Sequence, residues 1–190
     1  MGGAKTRGGT ADERGMGMKI AMAAAALASM LAAAACAQEA TPASVGAEAK
    51  GAVTGLPVPR YVSLKTDEGN ARRGPSLGHR IDWVFRHRDM PLKVTAEFGH
   101  WRRVVDEDGQ GGWIHYGLLS GVRTVVVDVD MTELHRQPLD DSPVEARAET
   151  GVIGRLGACI PDWCRISAGG TRGWVRKGQI WGVDSDELRD

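Results

Sequence analysis

The sequence predicts an all-β protein: two small barrels in tandem, behind an export signal and a flexible linker. Three observations carry this. From about residue 60 onward, short alternating apolar runs are separated by Gly, Pro, Asn and Asp, and no stretch carries an apolar stripe at helical spacing. The stretch Trp101–Leu119, WRRVVDEDGQGGWIHYGLL, has the form of a hairpin, with two tryptophans bracketing a polar, glycine-rich turn and an apolar run closing it. A looser copy, WCRISAGGTRGWVRKGQI, runs from Trp163 to Ile180. Repetition of a whole element is the mark of a tandem fold.

The 190 residues suit one domain or two small ones. Basic and acidic residues number 24 each, and the first 37 residues hold four of the bases (Lys5, Arg7, Arg14, Lys19) and two of the acids (Asp12, Glu13). The remainder keeps 20 bases against 22 acids, which argues against a nucleic-acid binder that works by releasing phosphate counterions. Tryptophan dominates the aromatics, six against two Tyr and two Phe, and suits a small β domain that needs much buried area per residue.

Met18–Ala37 has a basic start at Lys19, an uncharged stretch from Ile20 to Ala35, and small residues after it, the layout of a secretory signal. Ala35-Cys36-Ala37 fits small-x-small cleavage, so residues 1–37 are read as a signal peptide and the mature chain as starting near Gln38. Two alternatives stay open. Cys36 could carry a lipid anchor, although Ala33 stands where lipoprotein signals place leucine. An uncleaved anchor is the other, weakened by the low apolarity of alanine. After processing no stable membrane span is expected, and the location is periplasmic or secreted. Residues 38–59, rich in Ala, Gly, Pro, Ser and Thr, are read as a flexible linker.

The first unit is read over 60–127. Tyr61–Leu64 alternates as a strand, Asp67–Asn70 is turn chemistry, and Gly74-Pro75 turns the chain sharply. Ile81–Phe85 and Leu92–Ala96 are further strands. In the hairpin, Trp101, Arg103 and Val105 share one face while Arg102 and Val104 share the other, and Asp108-Gly109 supplies the turn. Tyr116–Leu119 suits a single 3₁₀ turn, and Thr124–Val127 is read as the unit's last strand. Short strands with tight turns and no helix make a small barrel or sandwich.

The second unit is read over 131–183, with 184–190 as a C-terminal tail. Leu134–Pro138 stands where Ala71–Pro75 stood, Val144–Ala148 and Val152–Leu156 are strands, and Trp163–Ser167 echoes Trp101–Val105. Gly173-Trp174-Val175 echoes Gly112-Trp113-Ile114, and from each second Trp the closing apolar residue, Leu119 or Ile180, lies six positions on.

These residues resemble the bacterial SH3-like domain in both halves. The first half is similar in its N-A-R-x-G-P run (Asn70–Pro75), I-x-W-V-F (Ile81–Phe85) and W-R-x-V-x-D-x-D-G-x-x-G-W-I-H (Trp101–His115). The second is similar through Cys159, Trp163–Ile166, Gly173–Val175 and Trp181-Gly182-Val183. The resemblance spans about 60–183 and implies an exported tandem SH3-like protein of a type common in Gram-negative bacteria. It also implies kinship with domains that bind cell-wall peptides or target wall hydrolases. The chain's length leaves no room for an attached hydrolase, and proline-helix binding is not carried over, because the acidic, Tyr-rich opening of eukaryotic SH3 domains is missing.

Cys159 and Cys164 flank Ile-Pro-Asp-Trp, a turn that would let them face each other, and an oxidising compartment would join them in a disulfide. The alternative is a pair of reduced, part-buried thiols; the spacing does not fit C-x-x-C. The five histidines (His79, His87, His100, His115, His135) are scattered and read as surface residues, with no metal-ligand spacing. Asp106-Glu107-Asp108 reads as a solvated hairpin tip, since a calcium loop needs more oxygen ligands at regular spacing. No cofactor or metal is expected, and no nucleophile, base and orienting partner recur in a catalytic pattern.

Trp101, Trp113, Trp163 and Trp174 read as core. Trp83, Tyr116 and Trp181, nearer strand ends, are the candidates for lining a groove, with Arg72 and Arg73 beside it to hold a carboxylate. The bland alternative for the two arginines is pairing with a neighbouring carboxylate. The functional expectation is a non-enzymatic binder of a peptide, either peptidoglycan peptide or a segment of an envelope protein. A structural envelope protein is the alternative, and a small wall hydrolase a poorer one.

Overall fold

The computed structural model describes residues 49–190. The expected export signal over 1–37, with Cys36, and the first part of the expected linker lie outside the described residues.

Among the described residues there are strands and two 3₁₀ turns and no α-helix. A short hairpin, β1 (Ala49–Lys50) with β2 (Pro57–Val58), precedes the first sheet. That sheet holds β3 (Arg60–Leu64), β4 (Gly69–Arg72), β5 (Ile81–Phe85), β6 (Pro91–Phe98), β7 (Trp101–Val105), β8 (Gly111–His115) and β9 (Leu119–Ser120). The second holds β10 (Thr124–Val127), β11 (Thr132–His135), β12 (Val144–Ala148), β13 (Ile153–Cys159), β14 (Trp163–Ala168), β15 (Thr171–Arg176) and β16 (Ile180–Trp181). Across the first sheet the order is β5-β4-β8-β7-β6-β3-β9, and across the second β12-β11-β15-β14-β13-β10-β16. The second order is the first shifted by seven strands throughout, so the repeat seen in the sequence is a repeat of topology. The turns Tyr116–Leu118 and Lys177–Gln179 fall at the same step in each.

Each sheet encloses its own core. The first is Leu64, Ala71, Phe85, Leu92, Val94, Val104 and Ile114. The second includes Val125, Val127, Leu134, Leu156, Ile166, Val175 and Ile180, with both cysteines. Neither contains a tryptophan: of the four expected in the core, Trp163 is buried, and Trp101, Trp113 and Trp174 are half-buried. The reason is strand alternation: Val104 and Ile114 point inward, so Trp101 and Trp113 point outward.

Three boundaries differ from the sequence reading. Thr124–Val127 does not close the first sheet; it pairs with β13 and β16 and opens the second, and Leu119–Ser120 closes the first. All four of its residues are buried, because Val125 and Val127 face the second core while Val126 faces the first domain. Such an unalternating apolar run is the signature of a strand covered on both sides. Residues 49–59, read as the end of a flexible linker, form the β1–β2 hairpin docked on the first sheet through Glu97. The segment 184–190 folds back: Arg189 bridges to Cys159, and Lys177 Nζ donates to the carbonyls of Ser185 and Glu187 at 3.0 and 2.7 Å.

The two domains meet where β6 and β3 of the first sheet face β10 and β16 of the second. Trp181, expected in a ligand groove, instead meets Tyr61 edge-on at 5.3 Å across this seam. Lys93 and Arg123 sit over the Tyr61 ring at 4.9 and 5.3 Å, and they pair with Asp184 and Glu187 of the folded-back segment.

Cys159 and Cys164 form a disulfide as expected, opposite each other on β13 and β14 with Cα atoms 4.1 Å apart. Both are buried. Closing so short a loop constrains the unfolded chain by about 2 kcal/mol. The double substitution Cys159→Ala with Cys164→Ala is therefore expected to lower the urea midpoint by that equivalent with little change in slope.

Candidate functional site

The outward residues of β7 and β8 make the site. Register sets Phe98 beside Trp101 and Trp101 beside His115, and in the next row Arg103 beside Trp113 and Trp113 beside Arg72. Side chains paired in this way share a face. The first row continues into an aromatic tract. Trp101 meets His115 edge-on at 5.7 Å, His115 lies 4.9 Å from Tyr116, and His100 lies 5.6 Å from Tyr116 and 6.0 Å from His115. Phe98 and Tyr116 are 63% and 50% exposed, so the tract is open to solvent.

Polar contacts hold this tract in place. The Gly117 amide donates to His115 Nδ1 at 3.2 Å, which puts the proton of the neutral ring on Nε2. Arg102 is buried; its Nη1 donates to the carbonyls of Gly99 and Trp101 at 2.9 and 2.8 Å, and its guanidinium lies 5.9 Å from the Tyr116 ring. At the other end of the hairpin, Asp106, expected to be solvated, is buried and accepts from the Gln110 amide at 2.7 Å.

The second row opens onto a depression lined by Arg72, Arg73, Asp82, Arg103, Gly112 and Trp113. Its one carboxylate is engaged. Arg73 at 3.0 Å and Arg80 at 2.6 Å bond Asp82, and the Arg73 guanidinium foremost holds that carboxyl below its usual range. Arg72 Nη1 donates to the carbonyls of Leu77 and His79. Among the described residues, Arg103 has no carboxylate partner.

The five expected groove residues therefore separate. Arg72 and Arg73 share the depression, both with partners of their own. Tyr116 belongs to the aromatic tract beside it. Trp83 lies on the edge strand β5, opposite the core residue Ala71 and 41% exposed, apart from the others. Trp181 is in the seam. The residues missed are Phe98, His100, Trp101, Arg103, Trp113 and His115. Alternation about Val104 would have found Trp101 and Arg103, since the inward places were already taken.

The second domain carries the same checkerboard, Trp163 beside Arg176 and Arg165 beside Trp174 beside His135. There it is closed. Trp163 is buried, with Arg176 over its ring at 4.4 Å and His135 edge-on at 5.4 Å, and Asp140 from the β11–β12 loop pins Arg176. His135, expected at the surface, is buried by this arrangement, with Nδ1 3.1 Å from the Ser142 carbonyl.

The sequence profile of the bacterial SH3 domain matches residues 65–121 and again residues 128–182. The chain belongs to this family. Domains of the bacterial SH3 family typically mediate binding, and they occur in extracellular or cell-wall-associated proteins. Among solved structures, the chain is similar to that of NlpC2 from Trichomonas vaginalis, with 14% identity over 66% of this chain and 50% of that one and a TM-score of 0.30. It is similar also to NlpC1 from the same organism, with 14% identity over 70% and 49% and a TM-score of 0.31. The chain spans about half the length of these solved chains. Scores this low carry no activity over to the tandem SH3 chain. No curated protein matches it. Among the described residues no three His, Cys, Asp or Glu side chains gather as metal ligands, and no helix is long and apolar enough to cross a membrane.

Proposed function

We propose that this tandem bacterial SH3 protein is an exported, non-catalytic binding protein that holds an extended peptide across the outer face of its first domain. The peptide lies along the tract from Phe98 through Trp101 to Tyr116, and Arg103 takes a carboxylate it carries. The observation that carries this reading is the contrast between the repeats. The Trp163 row is capped by Arg176, His135 and Asp140 in the second domain, whereas the Trp101 row of the first is only half-buried and runs into the exposed Phe98 and Tyr116. The exposed Phe98 and Tyr116 rings beside a guanidinium with no carboxylate partner have no role in the core, which is complete without them. The ligand class is a peptidoglycan peptide or an envelope-protein segment of the same chemistry, encountered in the periplasm or outside the cell.

Titration of the mature chain with soluble peptidoglycan fragments, followed by tryptophan fluorescence and calorimetry, tests this. Arg103→Ala and Tyr116→Ala are each expected to weaken binding by about tenfold, equivalent to ~1.4 kcal/mol. Failure of fragments and whole sacculi to shift the emission sinks the wall-peptide version and leaves the protein-segment version to an envelope pull-down. Turnover of a wall substrate would overturn the non-catalytic reading.

A further inference from the structure

A second concavity, independent of the peptide face, lies at the junction of the two domains. It measures about 220 Å³ and is lined by Met90, Pro91 and His87 of the first domain with Val126, Ile153 and Trp181 of the second. Ile153, Val126 and Trp181 are one cross-strand row on β13, β10 and β16, turned away from the second core. The matching row of the first sheet is Pro91, Ser63 and Ser120. The apolar row is thus a property of the second sheet alone and is not demanded by the shared topology. The Trp181 indole is held in place by Tyr61, and Tyr61 by Lys93 and Arg123, so this wall is formed in advance.

The rim supplies charge. Glu107 lines the cleft and has no ion-pair partner among the described residues. Burial first, and then the carboxylates of Asp108, Asp128 and Asp106, push its pKa up, and no basic group opposes them. An apolar cleft with an anionic mouth excludes a carboxylate or phosphate and fits an alkyl chain ending in a cation.

We infer that the cleft between the domains binds an aliphatic primary amine of the kind that ends a lysine-like side chain. The methylenes lie against Met90, Val126, Ile153 and the Trp181 face, and the ammonium sits at Glu107. This site takes the opposite charge from the peptide face and stands whether or not that face binds.

The test uses the mature chain with pentylamine as probe and 1-pentanol as its uncharged counterpart, read by methyl shifts of Val126 and Ile153. Pentylamine is expected to bind in the millimolar range, at least tenfold more tightly than the alcohol, and Glu107→Gln is expected to remove that preference. Ile153→Trp, which fills the cleft, is expected to abolish both. Equal affinity for amine and alcohol, shifts unaltered by Glu107→Gln, or no shift up to about 50 mM would each overturn the assignment. Because Glu107 is at the surface, its substitution keeps the test decisive if Ile153→Trp does not fold.

Discussion

Glu97→Ala is expected to release the N-terminal hairpin and to destabilise the first domain by about 3–5 kcal/mol. The Glu97 side chain is wholly buried. It accepts from the Val53 and Thr54 amides at 3.0 and 2.9 Å, from the Thr54 hydroxyl at 2.7 Å and from Arg60 Nη2 at 2.7 Å, and Arg102 Nε lies 3.5 Å away. The hairpin backbone closes directly on this carboxylate: a Cβ on Gly51 would fall 2.4 Å from Glu97 Cδ. Removing the carboxylate leaves two largely buried guanidinium groups without a counter-charge and two amides without an acceptor. The effect reaches the peptide face as well, because Arg102 sits under Tyr116. Urea unfolding and hydrogen exchange at Val53 and Thr54 read the two parts; unchanged protection of both amides in the variant would refute the hairpin's dependence on Glu97.

The same group predicts a pH dependence. Burial pushes the Glu97 pKa up, but the bonds from Thr54, Arg60 and Val53 outweigh it and bring the value down from 4.5 to about 2. A carboxyl whose pKa is lower folded than unfolded contributes its full stability above the unfolded value. That contribution, about 3 kcal/mol, is expected to be present above pH 4.5 and to be lost as pH falls toward 2. Glu97→Gln should flatten the stability profile over that window.

The second large effect is expected at the glycine before the second tryptophan of each repeat. A Cβ on Gly112 would stand 2.6 Å from the Arg72 carbonyl oxygen, and one on Gly173 2.6 Å from Leu134 Cβ. Both clashes are with the neighbouring strand, β4 or β11, and neither partner can withdraw without opening the sheet. Gly112→Ala and Gly173→Ala are each expected to cost about 3 kcal/mol. Gly121→Ala, with nothing within 4 Å, is expected to stay within ~0.5 kcal/mol of the parent and serves as the control. Thermal unfolding of the three variants in parallel checks the ranking.

These glycines show how far the sequence is legible. Their recurrence at one place in two hairpins was visible in the letters; the cause, a close approach of strands distant in the chain, was not. By itself the sequence determined the all-β class, the tandem repeat, the hairpin turns and the placing of two cysteines across one turn. Each of these rests on local spacing: alternation, turn dipeptides and the order of elements. Only the tertiary structure decided which strand belongs to which sheet, which faces are covered and which rings are open. Thr124–Val127 belongs to the second sheet because its hydrogen-bond partners lie far along the chain. Trp181 is at a seam because the other domain packs there. Trp163 is covered while its counterpart Trp101 is half-exposed because a loop carrying Asp140 reaches Arg176. Those outcomes depend on contacts between residues remote in sequence, and local pattern carries no record of which remote neighbour will cover a face.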